Sequence, residues 1–334
     1  MRGGKGHCAH MAATVCPSAG FLLLDSEIFH AKIEEDMMQE KVGFMGLGIM
    51  GLAMARNIAM AGYSLSLYNR STEKVKALAL SDGKAKIAKD PKTLAEESDI
   101  IIAMVTGPEA LNELLWGPEG AAAALSKDKI FINMSTVSPA FVNELKERLA
   151  LTHVTFIDAP VSGSKKPAED ATLVILASGP KEKVDQLMPL FETMGKKTVY
   201  CGEVGKGSMM KLSINLLLGV MMEGLSEALN LAKMGGLSVE SFLDVVYSGP
   251  MNCGLFQMKA DSLRQGEFTP SFPLKHMAKD LKFAVDTAYE IGATLPVGHA
   301  LLNLYQIGVG RKWGDLDFSA ILNVLEHENA VDKP

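Results

Sequence analysis

Cysteine is scarce in this chain of 334 residues. The four cysteines are too few and too scattered for a disulfide scaffold or for a zinc site of the Cys-x-x-Cys kind; they are Cys8, Cys16, Cys201 and Cys253. We therefore expect no disulfide framework and no metal site. Such sparse cysteine usage is typical of a reducing intracellular compartment.

An excess of positive charge is also absent. Lysine and arginine number 33 against 39 aspartates and glutamates, so the formal net charge is −6. This composition excludes the strongly basic footprint of a protein that binds nucleic acid or an anionic membrane. The longest strongly apolar run without a charge, residues 212–222, is about half of what a transmembrane helix requires. Neither nucleic acid nor a membrane is therefore expected as a partner.

The length and composition are those of an ordinary globular protein with about two domains. Hydrophobic residues make up 48% of the chain and charged residues 22%. Residues 1–40 form an N-terminal extension of different composition, in which Arg2 and Lys5 precede the first acidic residue. The extension is predicted to be either a flexible tail or a targeting peptide. The expected location is cytoplasmic, with a plastid or mitochondrion as the alternative.

Short apolar runs alternate with helical patterns from Lys41 onward. Strands are predicted over 42–45, 63–68, 99–105, 129–134, 154–157 and 173–177, and a helix is predicted over 72–80. Strands and helices alternating at this spacing predict an α/β fold with a doubly wound parallel sheet. We assign residues 41–205 to this domain.

The strand signal stops near Gly205. A long helix is predicted over 208–234, and a second helix is predicted to begin after a cap at Ser238. Three more are predicted over 274–291, 297–307 and 318–325, and Asp317 is the predicted cap of the last. Residues 206–334 are therefore predicted to form an all-α domain, which we expect to hold the substrate and the contacts between subunits.

A glycine-rich loop directly follows the first predicted strand and precedes a helix. Its sequence is Gly46-Leu47-Gly48-Ile49-Met50-Gly51. In such a loop Gly46 makes the tight turn, Gly48 lets the backbone approach a pyrophosphate, and Gly51 lets the helix pack against the strand. The pyrophosphate lies at the helix N-terminus, where N–H groups and the helix dipole favour negative charge. The context predicts a dinucleotide-binding Rossmann domain.

The end of the second strand predicts which dinucleotide binds. Enzymes that use NAD place an aspartate or glutamate there to bind the ribose 2′-hydroxyl. This chain has Asn69, Arg70 and Ser71 instead. Because Arg70 would attract a 2′-phosphate, we predict NADPH/NADP+ over NADH. Met104 and Val105, at the end of the next strand, are assigned to the same site because ligands bind at carboxyl ends of strands.

Lys211 and Asn215 are four residues apart in the long predicted helix and share one face of it. The rest of that face is apolar, and a partly buried lysine can have a lowered pKa and act as a general acid. Taken alone, Lys211 could equally be a surface lysine whose stem covers apolar atoms.

Four motifs in fixed order support a resemblance between Lys41 and about Glu326. The segments GLGIMG, NMSTVSP, DAPVSG and GKGSMMKLSIN resemble the β-hydroxyacid dehydrogenase family. The segments PVSGSKKPAEDATL, FPLKHMAKDL and GDLDFSA resemble its glyoxylate/succinic semialdehyde reductase branch. Ser164 and Leu216 depart from many relatives, and both substitutions fit this branch.

The resemblance implies roles for individual residues. Lys211 matches the family's catalytic lysine, which donates a proton, and Asn215 matches the residue that orients lysine and substrate. Ser162, Gly163 and Ser164 match the segment that binds the substrate carboxylate. Thr136 matches a residue near the nicotinamide, and Lys279 matches a lysine that reaches the cofactor. Phe272 and Asp280 match positions in the active site of the reductase branch.

The resemblance also implies an activity. We expect NADPH-dependent reduction of a small aldehyde acid, either glyoxylate to glycolate or succinic semialdehyde to 4-hydroxybutyrate. The alternative within the family is a 3-hydroxyisobutyrate-type dehydrogenase. That branch mostly prefers NAD, whereas Arg70 favours a cofactor with a 2′-phosphate, so Arg70 argues against this alternative. A non-catalytic dinucleotide-binding scaffold is disfavoured because Lys211 and Asn215 are both present. A homodimer or homotetramer is expected.

Overall fold

The computed structural model describes residues 40–71 and 85–330. The helix predicted over 72–80 and nearly all of the predicted N-terminal extension lie outside the described residues, as do residues 331–334.

Within the described residues, nine strands form a single sheet. They are β1 (Lys41–Met45), β2 (Ser64–Tyr68), β3 (Ala85–Ile87), β4 (Ile100–Ala103), β5 (Ile130–Asn133), β6 (Thr155–Asp158), β7 (Val161–Ser162), β8 (Leu173–Ser178) and β9 (Gly195–Gly202). Their order is β3-β2-β1-β4-β5-β6-β8-β7, and β9 pairs with β8. The chain reverses strand order between β1 and β4, which is where a doubly wound sheet opens a ligand crevice.

Six neighbouring strands, in the order β3-β2-β1-β4-β5-β6, are parallel, and all of them except β3 were predicted. The other end of the sheet is not wholly parallel. Strand β8 runs antiparallel to β6 and β7 and parallel to β9. Only one short helix, Lys165–Glu169, separates β7 from β8. A parallel crossover needs a longer connection, so the chain returns antiparallel. The predicted doubly wound parallel sheet therefore has an antiparallel edge, which the sequence patterns did not indicate.

The sequence patterns missed β3, β7 and β9. Strands β3 and β7 are too short to show a pattern, and β9 carries Lys196 and Lys197 where an apolar run was required. Both lysines of β9 are exposed. An apolar-run criterion finds buried strands and overlooks these exposed or short ones.

The parallel strands carry apolar side chains to both faces of the sheet. Ile100 and Ile102 belong to one hydrophobic core with Phe44, while Ile101 and Phe131 belong to the other. Both cores are closed by helices of the first half. These helices are α1 (Ile49–Met60), α2 (Pro91–Glu96), α3 (Pro108–Trp116), α4 (Pro139–Ala150), α5 (Lys165–Glu169), α6 (Lys181–Gln186) and α7 (Met188–Glu192).

The second half is helical and has its own core. Its helices are α8 (Lys206–Met234), α9 (Val239–Ser248), α10 (Gly254–Gln265), α11 (Leu274–Ile291), α12 (Pro296–Gly310) and α13 (Ile321–Ala330), with a 3₁₀ turn at Phe318–Ala320. Ser238 and Asp317 cap the elements that follow them, as predicted. The observed architecture, a Rossmann-type sheet followed by helices, confirms the predicted fold class. The domain boundary at residue 205 stays a prediction.

Helix α8 connects the two halves. It contacts β8 and β9 on one side and α11, α12 and α13 on the other. Among the described residues it is the one helix long and apolar enough to cross a membrane by length and composition. A central core helix passes the same test, and these contacts are those of a core helix.

The first turn of α8 lies directly against the sheet. A Cβ added to Gly207 would lie 2.3 Å from the backbone oxygen of Leu176 and 2.8 Å from that of Asp158. Gly224, on the same helix, is exposed, and a Cβ there would meet nothing within 4 Å. One glycine is therefore required by close approach and the other is not.

We predict opposite effects of alanine at these two glycines. Gly207→Ala should destabilise the protein by about 1–3 kcal/mol, because the helix must shift off the sheet. Gly224→Ala should stabilise it by about 0.5–1 kcal/mol when compared in the same oligomeric state, because alanine favours the helix. Urea unfolding of both variants and the wild type measures the difference. Equal midpoints for the two variants would show that α8 is not packed this closely.

Candidate active site

A cleft of about 810 Å³ lies between the carboxyl ends of the strands and α11. From the glycine loop it is lined by Gly46, Gly48, Ile49, Met50 and Gly51. From the following strand ends it is lined by Asn69, Arg70, Met104, Val105 and Thr136. From the remaining segments it is lined by Gly163, Ser164, Lys211, Phe272, Lys279 and Asp280. Most of the predicted site residues are thus brought together.

Four predicted residues are placed elsewhere. The side chain of Leu47 is buried in the core beneath the loop, and Ser71 and Ser162 do not line the cleft. Ser162 pairs with Val174 in the β7–β8 ladder. Asn215 is fully buried behind the cleft wall, where it contacts Asp280. The side chains of Leu47 and Asn215 thus do not line the cleft, and their roles in binding cofactor and substrate stay predictions.

The glycines of the loop meet three different steric demands. Gly46 has a φ of +97°, and a Cβ there would lie 2.3 Å from the oxygen of Met104. A Cβ at Gly51 would lie 2.0 Å from the oxygen of Gly46. At Gly48 a Cβ would meet no protein atom within 4 Å, although the residue lines the cleft. Gly46 and Gly51 serve the fold, and Gly48 keeps open the space in front of α1.

The polar groups of this region fit a nicotinamide dinucleotide. Helix α1 has neither a side-chain cap nor an acidic residue in its first turn, so its N-terminus is available to a pyrophosphate. Asn69 accepts the Leu47 N–H at 3.0 Å and donates to the Ser71 oxygen at 2.9 Å, which orders the end of β2. Arg70 is exposed beside it at the rim of the cleft.

A buried carboxylate joins the sheet to the start of α8. Asp158 is fully buried at the end of β6, and its two oxygens accept the Ser208 N–H at 2.9 Å and the Ser208 hydroxyl at 3.0 Å. Asn133, at the end of β5, and Ser178, at the end of β8, donate to the same carboxylate at 3.2 and 3.3 Å. Lys211 follows Ser208 by one helical turn, so this joint sets where Lys211 enters the cleft.

Burial raises the pKa of Asp158 to about 6, although hydrogen bonds from Ser208, Asn133 and Ser178 oppose the rise. A carboxylate without these donors would be far costlier to bury. The carboxylate is therefore matched to the N-terminus of α8, where the helix dipole also favours negative charge.

Lys211 lies in the cleft with only 7% of its surface exposed. Burial lowers its pKa to about 8; Asp280 opposes the lowering and Lys279 adds to it. Such a lysine is mostly protonated at neutral pH and half protonated near pH of about 8, so it can exchange a proton with a bound ligand. The interpretation of Lys211 as an ordinary surface lysine is therefore wrong.

Asp280 and Lys279 complete the polar end of the cleft. Asn215 donates to Asp280 Oδ2 at 2.6 Å, and Lys279 Nζ lies 2.9 Å from Asp280 Oδ1 as an ion pair without hydrogen-bond geometry. Lys279 also donates to the backbone oxygen of Thr136 at 2.8 Å. That hydrogen bond connects α11 to the segment that follows β5, so it bridges the helical side and the sheet side of the cleft.

Several residues at the site escaped the sequence interpretation. Asn133 and Asp158 were not predicted as site residues, yet each is a polar residue that ends an apolar strand, and this signal could have identified them. Glu109 and Glu113 of α3 line the cleft as well, and nothing in their local pattern distinguishes them. Within the described residues, no group of three or more His, Cys, Asp or Glu side chains is placed to hold a metal ion.

Two family models together match nearly all of the described chain. The model described as the NAD binding domain of 6-phosphogluconate dehydrogenase matches residues 41–202. The model described as NAD-binding of NADP-dependent 3-hydroxyisobutyrate dehydrogenase matches residues 205–325. A nicotinamide cofactor is therefore supported by both halves.

Curated relatives and solved structures agree with these matches. Glyoxylate/succinic semialdehyde reductase 1 of Arabidopsis thaliana is 35% identical over 286 residues, which cover 86% of this chain and 98% of the plant protein. Reductase 2, a chloroplastic protein of the same plant, is 34% identical, with 85% and 79% covered.

Among solved structures, 3-hydroxyisobutyrate dehydrogenase from Salmonella typhimurium is similar with a TM-score of 0.78, 25% identity, and coverage of 86% of this chain and 100% of that one. Psf3, in complex with NADP+ and 2-OPP, has a TM-score of 0.77 at 25% identity, with 85% and 99% covered.

The geometry of the glycine loop predicts a variant that separates binding from folding. Gly48→Ala should weaken binding of a nicotinamide dinucleotide by about tenfold, because the new methyl group enters the space where the pyrophosphate approaches. Its unfolding midpoint should stay that of the wild type. Gly51→Ala is the matched control and should lower the midpoint. Titration of cofactor fluorescence measures the affinity, and unchanged affinity in Gly48→Ala would contradict the assignment.

Proposed function

Because this chain belongs to the β-hydroxyacid dehydrogenase family, in its glyoxylate/succinic semialdehyde reductase branch, we propose that it reduces small aldehyde acids with NADPH. The family makes it an oxidoreductase that acts on CH–OH groups with a nicotinamide cofactor. The proposed reactions are glyoxylate to glycolate and succinic semialdehyde to 4-hydroxybutyrate.

One observation carries the proposal, and it is the buried Lys211 at the cleft. An aldehyde that gains a hydride at carbon needs a proton at oxygen, and bound NADPH supplies the hydride. Lys211, with its pKa lowered to about 8, donates the proton and is regenerated from solvent. Asp280, held by Asn215, stabilises the protonated form of the lysine.

The substrate carboxylate is assigned to the turn after β7. Gly163 and Ser164 line the cleft there, and their backbone N–H groups and the hydroxyl suit a small anion. Holding the carboxylate there would orient the carbonyl oxygen toward Lys211. The role of Ser162, which does not line the cleft, stays a prediction.

The preference for NADPH is supported by the end of β2. Arg70 is exposed at the cleft rim, and none of the residues from Asn69 to Ser71 carries a carboxylate that would repel a 2′-phosphate. The alternative, oxidation of a 3-hydroxyisobutyrate-type substrate, is supported by the match of the helical half to a model of an NADP-dependent 3-hydroxyisobutyrate dehydrogenase, so Arg70 does not exclude it. Lys211 would then accept the proton.

We also propose a homodimer or homotetramer. Exposed apolar side chains follow the outer face of α8, where Leu217 is 54% and Leu231 is 75% exposed. Such a face is typical of a contact between subunits. The cytoplasmic location stays a prediction.

The assay that tests the function follows NADPH absorbance with glyoxylate and, separately, with succinic semialdehyde. We expect turnover with at least one of them and a much lower KM for NADPH than for NADH. Arg70→Ala should raise the KM for NADPH by about tenfold, because a charge-assisted bond to the phosphate is lost. The KM for NADH serves as the control and should not change.

Two results would contradict this assignment. No turnover of either aldehyde acid, together with oxidation of 3-hydroxyacids, would favour the alternative dehydrogenase. A lower KM for NADH in the wild type would show that Arg70 does not select the cofactor.

A further inference from the structure

A buried ion pair lies outside the cleft, between α10 and the 3₁₀ turn. Lys259 Nζ is 2.7 Å from Asp317 Oδ1, and the side chains are only 6% and 1% exposed. The proposed chemistry uses neither residue. Removing one partner of such a pair leaves an unpaired buried charge, which is energetically costly. Each side chain therefore holds the other in place.

Both oxygens of Asp317 are fully used. Oδ2 accepts the backbone N–H groups of Ser271 and Phe272 at 3.0 and 3.2 Å and the Ser271 hydroxyl at 3.0 Å. Oδ1 accepts the backbone N–H and the hydroxyl of Ser319, as well as Lys259. Burial alone would raise the pKa of Asp317, but Lys259 and these hydrogen bonds together lower it.

The segment that Asp317 holds is a wall of the cleft. Ser271, Phe272 and Pro273 line it, and they lie in a connection between α10 and α11 without helical structure. The Phe272 oxygen accepts the Phe318 N–H at 2.8 Å. Both the N–H and the carbonyl group of Phe272 are therefore hydrogen-bonded. Its ring packs against the Phe318 ring, with centroids 5.7 Å apart.

Lys259 reaches the same segment directly. Its Nζ donates to the Ser271 hydroxyl at 3.1 Å and lies 4.9 Å from the centroid of the Phe318 ring. The ion pair therefore contacts both the wall segment and the ring behind Phe272. This arrangement explains the GDLDFSA segment, whose aspartate at 317 caps the 3₁₀ turn and also organises a distant part of the cleft.

We propose that Lys259 and Asp317 are positioning residues that set the place of Phe272 in the cleft, and thereby which aldehyde acids fit opposite Lys211. The proposal rests on the proposed function for its reaction. The anchoring of the wall segment does not depend on which reaction the protein catalyses.

Lys259→Met tests the proposal, because it keeps the stem and removes the charge. Hydrogen exchange of a peptide spanning 266–274 should become at least about tenfold faster, since Asp317, which accepts the amides of Ser271 and Phe272, is no longer held by Lys259. The KM for the aldehyde acid should rise by about tenfold or more. The KM for NADPH and the pH profile of reduction should not change.

Two further variants keep the test informative. Lys259→Arg retains the charge and should restore slow exchange and a low KM. If Lys259→Met does not fold, the double variant Lys259→Met with Asp317→Asn removes both charges, and the same two effects are expected.

Lys275→Met is the matched control. Lys275 Nζ lies 2.6 Å from Asp315 Oδ1 and connects α11 to the turn before Asp317, but this ion pair is exposed. Removing it should change neither exchange nor KM.

The outcomes are separable. A lowered melting temperature with unchanged exchange at 266–274 and unchanged KM would overturn the proposal, because the pair would then be only structural. If the wild type turns over no aldehyde acid, the proposed function fails. Faster exchange in Lys259→Met would still support the anchoring of the wall, and unchanged exchange would overturn it.

Discussion

The buried carboxylate of Asp158 is the joint on which the placement of Lys211 depends. It accepts hydrogen bonds from the ends of two strands, β5 and β8, and from the first turn of α8, and it is completely buried. Gly207 allows the approach, because no Cβ would fit between helix and sheet. A long helix fixed at its first turn carries its next turn rigidly, so Lys211 enters the cleft at one place. The lowered pKa of Lys211 is a consequence of that buried position.

Three buried aspartates fix the positions of segments that form the cleft. Asp158 fixes the start of α8, Asp280 holds Asn215 and faces Lys279, and Asp317 holds the wall that carries Phe272. Each connects segments that are far apart in the chain. Burying a charge is costly, and each of these carboxylates is compensated by several donors or by a lysine. The cleft is thereby preorganised, which is what a positioned proton donor requires.

The sequence could predict local features and not these long-range pairings. The glycine loop was predictable because each glycine has a local steric reason, and Lys211 and Asn215 share a face through helical spacing alone. The partner of Asp158 lies 50 residues away and that of Asp317 lies 58 residues away, so no periodicity connects them. Strand β9 was missed because its exposed lysines break the apolar run, and the antiparallel return of β8 follows from a short connection.

The pH dependence of reduction, measured with wild type and Lys211→Ala at saturating NADPH, tests the central claim most directly. Only protonated lysine donates, so kcat/KM should be level below pH of about 8 and fall by about tenfold per pH unit above it. Lys211→Ala should lose most of its turnover, lose this inflection, and still bind NADPH. A level profile through pH of about 10 in the wild type, or turnover like the wild type's in Lys211→Ala, would contradict the assignment of Lys211 as proton donor.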